Sequence, residues 1–311
     1  MRATGGILAA LFLGAASAAD ADPAIDPAPE AVLASLPFEK GAPARTIVID
    51  LAPKGNARRL RFQLDTGATN SVVTPRLARE MGVKVSRIKQ DAYRRGTVLG
   101  RDVQFYVDTN RSDTGSTSGW EFGLVGGDFL SDYVVELDFA GKRVRFLEPR
   151  LFEVRASVDA PGEAVFPMKL VSSRPALRAL LDGHAVDLLV DTGAYMGLML
   201  SGEIARNVGL AFAPVPDFEL LGTRGRTAGH AGDLARLTLG PFVFEQVPAV
   251  VSPNGFFNLG FPGDSILGYD VLAQFLVRID YPRQRIWLRQ RADAPPFFDP
   301  RRTAESRAGT P

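Results

Sequence analysis

Two aspartates in nearly identical settings are the residues of this chain that point most directly to chemistry. Residues 62–68 read FQLDTGA and residues 188–194 read LLVDTGA, so Asp65 and Asp191 each follow an apolar run and precede Thr-Gly. The repeat suggests two carboxylates brought together on a pseudo-twofold axis. Two carboxylates about 3 Å apart share one proton, so that one can act as a base toward water while its neighbour acts as an acid. Such a pair hydrolyses an amide without a metal or a side-chain nucleophile.

The Asp-Thr-Gly tripeptide alone carries little weight, because residues 113–115 are a third copy of it. That copy has polar neighbours and no apolar run before it, which is typical of a surface turn. The alternative for Asp65 and Asp191 is that they are ordinary strand-end or cap aspartates. Their duplicated setting is therefore what favours a catalytic pair.

The elements around the two aspartates also recur in the same order. Each Asp-Thr-Gly follows an apolar hairpin and precedes a short helix with a hydroxyl cap, Thr74 in the first copy and Ser201 in the second. Each copy closes with two apolar residues and a glycine, which is Gly126 or Gly268, and then a terminal hairpin. A repeated, strand-rich and turn-rich pattern predicts an all-β fold of two lobes, each with one short helix.

On these motifs the chain resembles the aspartic peptidases, and each half resembles the retropepsin-like domain. The resemblance covers residues 45–290. It implies two β-barrel lobes in tandem, related by a pseudo-twofold axis, with Asp65 and Asp191 as the catalytic residues. A monomer that pairs its own lobes is the first expectation. Two separate half-sites, each completed by a partner chain in a dimer, are the alternative.

The resemblance also assigns supporting roles around the two carboxylates. The glycines allow a tight turn and a close backbone approach, and the threonines are implied to hydrogen-bond across the lobe interface. An alanine follows each glycine where pepsin-like members usually have a hydroxyl donor, and losing a donor to a carboxylate raises its pKa. We therefore expect activity at mildly acidic to neutral pH. The expected supporting residues are Thr66, Gly67, Ala68, Thr192, Gly193, Ala194, Gly126 and Gly268.

A glycine-rich stretch, residues 222–229, lies where family members have the flap that covers the substrate. Flaps need mobility and backbone groups that can hydrogen-bond an extended peptide. The candidate flap residues are Gly222, Gly225 and Gly229, with residues 93–100 as a weaker counterpart in the first half. An ordinary hairpin turn is the alternative reading.

The two halves differ next to the aspartates. Residues 194–197 read AYMG, bulkier and less polar than the ATNS of residues 68–71. The difference is consistent with a tuned substrate subsite or with a lobe that has lost catalysis. Asp128 and Asp270, two residues after the closing glycines, are expected to stabilise turns or form ion pairs rather than to catalyse.

The composition excludes several other functions. The 311-residue chain contains no cysteine, which excludes disulfides and thiol nucleophiles, and 36 basic against 35 acidic residues give no overall field for binding nucleic acid. The two isolated histidines, His184 and His230, do not suggest a metal site, and no cofactor is implied. Residues 1–19 match a secretory signal, so we expect an exported, periplasmic or secreted bacterial protein without a membrane span.

The predicted function is that of an aspartic endopeptidase acting on exported or envelope proteins, bound as extended peptides. A catalytically inactive peptide-binding module of the same fold is the alternative, and a structural or assembly protein is a third reading. The predicted segments are a signal peptide (1–19), an Ala/Pro-rich linker (20–44), a first lobe (45–155), an interlobe linker (156–164), a second lobe (165–291) and a disordered tail (292–311).

Overall fold

The computed structural model describes residues 26–41, 46–51, 59–81, 92–99, 101–108, 123–154, 161–222, 225–253 and 265–302. Within them the chain forms twenty strands and four short α-helices, which confirms the predicted all-β class. The strands are β1 (Val32–Gly41), β2 (Thr46–Leu51), β3 (Leu60–Leu64), β4 (Val72–Val73), β5 (Ala92–Val98), β6 (Arg101–Val107), β7 (Gly123–Val125), β8 (Val134–Asp138), β9 (Arg143–Leu147), β10 (Glu163–Pro167), β11 (Lys169–Val171), β12 (Arg174–Leu181), β13 (His184–Val190), β14 (Leu198–Ser201), β15 (Ala213–Gly222), β16 (Gly225–Leu239), β17 (Phe242–Ser252), β18 (Ile266–Leu267), β19 (Phe275–Asp280) and β20 (Arg285–Gln290). The helices are α1 (Pro75–Glu80), α2 (Gly127–Leu130), α3 (Gly202–Asn207) and α4 (Tyr269–Leu272).

The described strands form two sheets. The first has twelve strands in the order β10-β20-β19-β8-β9-β1-β2-β3-β7-β4-β6-β5, and the second has eight in the order β11-β12-β13-β18-β14-β17-β16-β15. An additional pairing of β12 with β16 folds the second sheet back on itself. Strands β2 to β7 thus belong to the first lobe, and β11 to β18 to the second.

A run of six strands at one end of the larger sheet joins the two lobes. It contains β1, β8 and β9 from the first half of the chain and β10, β19 and β20 from the second. The junction is the antiparallel pairing of β8 with β19, in which Glu136 lies opposite Arg278 and Val135 opposite Ile279. Hydrogen bonding therefore continues from one lobe into the other.

Local sequence signals explain several of these elements. The hairpin of β12 and β13 turns at Asp182 and Gly183, which both have positive φ (47° and 85°), as the Asp-Gly pair predicts. The predicted caps are also present, because Leu77 N–H donates to Thr74 Oγ1 at the start of α1 and Ile204 N–H donates to Ser201 Oγ at the start of α3. Both caps accept from the third residue beyond them, the usual N-cap geometry.

Each lobe contains a second helix that the sequence did not predict. Helices α2 and α4 have four residues each and begin directly after Gly126 and Gly268. A single helical turn is too short to show an apolar periodicity, so pattern reasoning could not find it. The prediction of one helix per lobe was therefore wrong in number.

The expected linker at residues 20–44 is also corrected. Residues 32–41 form strand β1, which pairs with β9 on one side and β2 on the other. Along this strand Leu33, Ser35 and Pro37 are exposed, while Phe38 is buried. The Ala- and Pro-rich composition suggested a linker, but the segment forms a strand because it pairs with β9, which lies more than a hundred residues further along the chain.

The expected disordered tail at residues 292–311 is corrected in its described part. Residues 292–302 pack against the second lobe, with Phe297 and Phe298 half-buried and Pro300 buried. Residues 303–311, the predicted signal at 1–19 and the third Asp-Thr-Gly at 113–115 lie outside the described residues. No helix in the described ranges is long and apolar enough to cross a membrane.

Candidate active site

Both aspartates sit at equivalent ends of buried strands. Asp65 follows β3, and its N–H donates to the carbonyl of Val125 on β7 (3.0 Å). Asp191 follows β13, and its N–H donates to the carbonyl of Leu267 on β18 (3.0 Å). Because β7 and β18 run parallel to β3 and β13, each aspartate loop is fixed at the end of a short parallel pair. The two loops occupy matching positions in their lobes.

The structure brings the two carboxyl groups together from opposite lobes. A Cβ atom on Gly67 would collide with the carboxyl group of Asp191, and one on Gly193 would collide with that of Asp65. Each glycine is therefore required because the aspartate of the opposite lobe approaches its backbone closely. This reason is more specific than the tight turn expected from the sequence. The intrachain pairing expected from the resemblance is the arrangement observed.

The two threonines of the loops bind across the lobe interface. The Thr66 hydroxyl donates to the Val190 carbonyl (2.7 Å), and the Thr192 hydroxyl donates to the Leu64 carbonyl (2.7 Å). Each hydroxyl also accepts the other threonine's backbone N–H, at 3.0 and 3.1 Å. Both residues have no exposed surface. These four bonds fix the separation and orientation of the two aspartate loops.

The two carboxyl groups differ in their hydrogen bonds. Asp191 Oδ1 accepts the N–H groups of Gly193 (2.7 Å) and Ala194 (3.2 Å). Asp65 Oδ1 is buried and has no hydrogen-bond partner among the described residues. Because a carboxylate that accepts backbone N–H bonds is stabilised in its charged form, these two bonds favour the ionised form of Asp191.

Burial raises the pKa of both aspartates, and the charge of Asp191 with its hydrogen bond raises the pKa of Asp65 further, well above the ordinary value. For Asp191 the N–H bonds from Gly193 and Ala194 and the positive charge of Arg174 oppose the rise. The pair thus titrates as a coupled unit that keeps one proton to a higher pH than an isolated aspartic acid. The residues after the two glycines, Ala68 and Ala194, supply no hydroxyl donor.

The closing glycines lie directly behind the aspartate loops. A Cβ on Gly126 would collide with the carbonyl oxygens of Ala68 and Asn70, and one on Gly268 with those of Ala194 and Met196. The next residue of each segment binds the loop, since Gly127 N–H donates to Ala68 O and Tyr269 N–H donates to Ala194 O, both at 2.8 Å. Gly126 and Gly268 therefore allow the supporting backbone to approach the loops.

The candidate flap of the second lobe is the hairpin of β15 and β16. Gly222 pairs with Gly225 at its tip, while Thr223 and Arg224 lie outside the described residues. Gly229 is not at the tip but in the body of β16, where a Cβ would collide with the ring of Phe218. The register of β15 shifts between Pro214 and Glu219, which indicates a bulge that redirects the strand.

The proposed counterpart of this flap at residues 93–100 is not equivalent to it. Strand β6 pairs in parallel with β4, just as β17 pairs in parallel with β14. The hairpin of β5 and β6 therefore corresponds to that of β16 and β17. Residues 82–91, which precede β5, lie outside the described residues.

The bulk of the second aspartate loop is directed into its own lobe. Met196 is 2% exposed and belongs to a cluster of buried apolar residues that includes Leu189 and Val250. Tyr195 is half-buried and its ring lies 6.0 Å from that of Phe298. The difference between residues 68–71 and 194–197 is thus largely a difference in packing behind the loop.

Sequence reasoning missed the groups that hold the loops from behind. Ser71 donates its N–H and its hydroxyl to Asp128, and Asp270 accepts the N–H of Phe298. The sequence contains one sign of this difference between the lobes. Ser71 lies six residues after Asp65, whereas Gly197, which has no hydroxyl, lies six residues after Asp191. Within the described residues no group of three or more histidine, aspartate or glutamate side chains is arranged to hold a metal ion.

The second lobe also matches a family model by sequence. Residues 177–271 match the model described as aspartyl protease, and this range includes the Asp191 loop and Gly268. The second lobe is therefore similar in sequence to aspartyl proteases. The Asp65 loop has equivalent backbone contacts, although the family model matches only the second lobe. No curated protein sequence matches the chain.

Two solved structures are similar to this chain. A retropepsin-like aspartic protease from Rickettsia conorii is 21% identical, with a TM-score of 0.32, over 42% of this chain and 91% of that chain. Basic 7S globulin from soybean is 11% identical, with a TM-score of 0.47, over 85% of this chain and 99% of that chain.

Proposed function

We propose that the chain is an aspartic endopeptidase that hydrolyses peptide bonds with Asp65 and Asp191. The observation that carries the proposal is the meeting of the two carboxyl groups, each packed against the glycine of the opposite loop. The crossed threonine bonds hold this arrangement, and the raised pKa values keep one proton on the pair. A pair that holds one proton contains an acid and a base at once.

The chemistry follows from that proton. The ionised carboxylate takes a proton from a water molecule as its oxygen attacks the scissile carbonyl carbon, and the protonated carboxyl group gives its proton to the carbonyl oxygen. The resulting tetrahedral intermediate collapses when the C–N bond breaks. One carboxyl group gives a proton to the leaving nitrogen while the other carboxylate takes a proton from a hydroxyl of the intermediate, so the pair ends with one proton. The N–H bonds to Asp191 favour negative charge on its carboxylate, and the burial of both carboxyl groups favours keeping one proton on the pair.

The substrate in this proposal is a peptide in extended conformation. The hairpin of β15 and β16, whose strands meet at Gly222 and Gly225, is the proposed binding element, because an extended peptide can add to a strand through backbone hydrogen bonds. The N-terminal residues 1–19 favour export, so proteins of the cell envelope or secreted proteins are the proposed targets.

The experiment is cleavage of a broad peptide library by the purified protein, with and without a statine-type transition-state mimic. We expect cleavage that the mimic inhibits. If the protein binds the mimic but cleaves nothing between pH 3 and 8, the inactive peptide-binding module is the better account. If it neither binds nor cleaves, both accounts fail and a structural role remains.

A further inference from the structure

The two aspartate loops are supported from behind in different ways. In the first lobe, Ser71 lies six residues after Asp65 and faces Asp128 on α2. The Ser71 hydroxyl donates to Asp128 Oδ1 (2.6 Å), and its N–H donates to the same carboxylate at 2.8 and 2.9 Å. The hydroxyl oxygen also accepts the N–H of Gly126 (3.0 Å). This one serine therefore joins the aspartate loop to the segment behind it.

The second lobe lacks this serine. Gly197 takes its place six residues after Asp191, and Asp270 on α4 takes the place of Asp128. A Cβ on Gly197 would lie only 3.2 Å from Asp270 Cβ, so the position leaves little room for a serine side chain. Asp270 is 1% exposed, and its Oδ2 accepts the backbone N–H of Phe298 (3.2 Å). The Phe298 N–H is thus a donor to Asp270 from outside the aspartate loop, whereas Ser71 belongs to the loop that it supports.

Residues 294–302, which we name the C-terminal segment, reach this position along α4. The amide of Gln274 donates to the Pro295 carbonyl (2.9 Å) and, at 3.1 Å, to the Asp270 carbonyl. The Phe298 ring then meets the ring of Tyr195 edge-on, with their centroids 6.0 Å apart. The segment thus contacts both the carboxylate behind the second loop and a side chain of that loop.

Two further contacts fix the C-terminal segment on the second lobe. The Phe297 ring packs edge-on against Phe244 (5.7 Å). Arg301 forms two hydrogen bonds with the carboxylate of Asp233 on β16 (2.5 and 2.8 Å) and others with Asp299. Paired guanidinium and carboxylate groups of this geometry are directional. The segment therefore also connects α4 to the long strand of the β15–β16 hairpin.

We propose that the C-terminal segment is a positioning element for the Asp191 loop, with Phe298 supplying through its backbone N–H and its ring the support that Ser71 supplies in the first lobe. The fixed geometry of the second loop then depends in part on the C-terminal segment. This inference rests on the proposed function only where it concerns turnover, because hydrogen exchange of the Asp191 loop can be measured without any catalytic activity.

The test is hydrogen exchange of the full-length protein, followed in peptides that cover residues 63–72 and 189–198. The Phe298→Pro variant removes both the N–H and the ring, whereas Phe298→Ala keeps the N–H and removes only the ring. We expect Phe298→Pro to accelerate exchange about five- to tenfold in residues 189–198 and to leave residues 63–72 unchanged, with a smaller effect for Phe298→Ala. Arg302→Ala is the matched control, because Arg302 is exposed, and we expect it to change neither loop.

A mirror variant makes the result specific to each lobe. Ser71→Gly removes the hydroxyl from the first loop, and we expect it to accelerate exchange in residues 63–72 and not in 189–198. Equal acceleration of both loops in Phe298→Pro, or no acceleration of the second loop, would overturn the proposal. If Phe298→Pro does not fold, Arg301→Gln, which breaks the bond to Asp233, supplies the same comparison. The exchange results test this proposal even if the wild-type protein cleaves no peptide, and in that case only the proposed function fails. If the wild-type protein does cleave, we also expect Phe298→Pro to lower kcat with little change in KM.

Discussion

Thr66 and Thr192 hold the two lobes together at the aspartates, each hydroxyl accepting the other's backbone N–H and donating to a carbonyl of the opposite lobe. The bonds are short, buried and nearly symmetric. Removing either hydroxyl would leave a buried N–H and a buried carbonyl without partners. The aspartate loops are therefore positioned by a contact that belongs to neither lobe alone.

The first prediction concerns this threonine pair. Thr66→Val keeps the side-chain shape but removes the hydroxyl, so we expect a loss of about 2–4 kcal/mol in the free energy of unfolding. Denaturant unfolding measures the loss. Thr66→Ser, which retains the hydroxyl, is the control and is expected to lose much less. Equal stability of the valine and serine variants would contradict the role assigned to the bonds.

The second prediction concerns stability and pH. The pKa of Asp65 is raised in the folded protein, so the folded state keeps a proton that the unfolded chain releases above about pH 4. Stability therefore falls as pH rises from the ordinary pKa toward the folded value. Asp65→Asn does not titrate, and we expect it to be more stable than the wild type by about 1–3 kcal/mol at pH 7, with the gain vanishing toward pH 3.5.

Asp187, a half-buried aspartate, supplies the control of opposite sign. Hydrogen bonding to Arg178 lowers the pKa of Asp187, so its contribution to stability is present above the ordinary pKa and lost in acid. Asp187→Asn is expected to be slightly less stable than wild type at pH 7 and equal to it in acid. A pH-independent difference between Asp65→Asn and wild type would show that the Asp65 pKa is not raised.

The third prediction concerns activity and pH. Turnover requires one proton on the carboxyl pair. Because the pKa values of both aspartates are raised, the pH range in which the pair holds one proton lies higher than for free aspartic acid. We expect the pH optimum of peptide cleavage to be mildly acidic to neutral. An optimum below about pH 3 would contradict the account, since free aspartic acid titrates near pH 4.

The fourth prediction concerns the sheet that joins the lobes. Glu136 on β8 is fully buried and bonds Arg278 on β19 (2.6 Å), whose guanidinium also lies over the Trp287 ring (4.5 Å). Arg145 forms an ion pair with the other oxygen of Glu136, with Nε and Oε1 2.7 Å apart. Arg278→Met leaves a buried carboxylate short of a partner, so we expect a loss of about 3–5 kcal/mol.

The double variant Glu136→Leu with Arg278→Met tests the same pair. Because the double variant removes both charges, we expect it to recover most of the stability that Arg278→Met loses. Thermal or denaturant unfolding of the two single variants and the double variant gives the coupling. Strictly additive losses would show that the pair does not join the lobes energetically.

The parts of the fold that depend on local signals were predictable from the sequence. The strands before Asp65 and Asp191, the Asp182-Gly183 hairpin and the capped helices α1 and α3 all follow from residues within a few positions of each element. The meeting of the two aspartates was also predicted, because it follows from the repeat itself. Local chemistry and duplication together were sufficient for the core of the site.

The parts that depend on distant partners were not predictable. Strand β1 exists because β2 and β9 pair with it, and the C-terminal segment is ordered by contacts with Asp270 and Asp233. Neither segment has a strong pattern of its own, so composition suggested a linker and a tail. The identity of the flap hairpin required the topology, since only strand pairing shows that β5 and β6 correspond to β16 and β17.

The most direct test of the central claim is peptide cleavage by Asp65→Asn and Asp191→Asn, each compared with wild type on the same substrate across the pH range. Because each carboxyl group meets the loop of the opposite lobe and the pair shares one proton, we expect either substitution to reduce kcat by at least about a thousandfold while both variants stay folded. Near-normal turnover by either single variant would contradict the shared carboxyl pair.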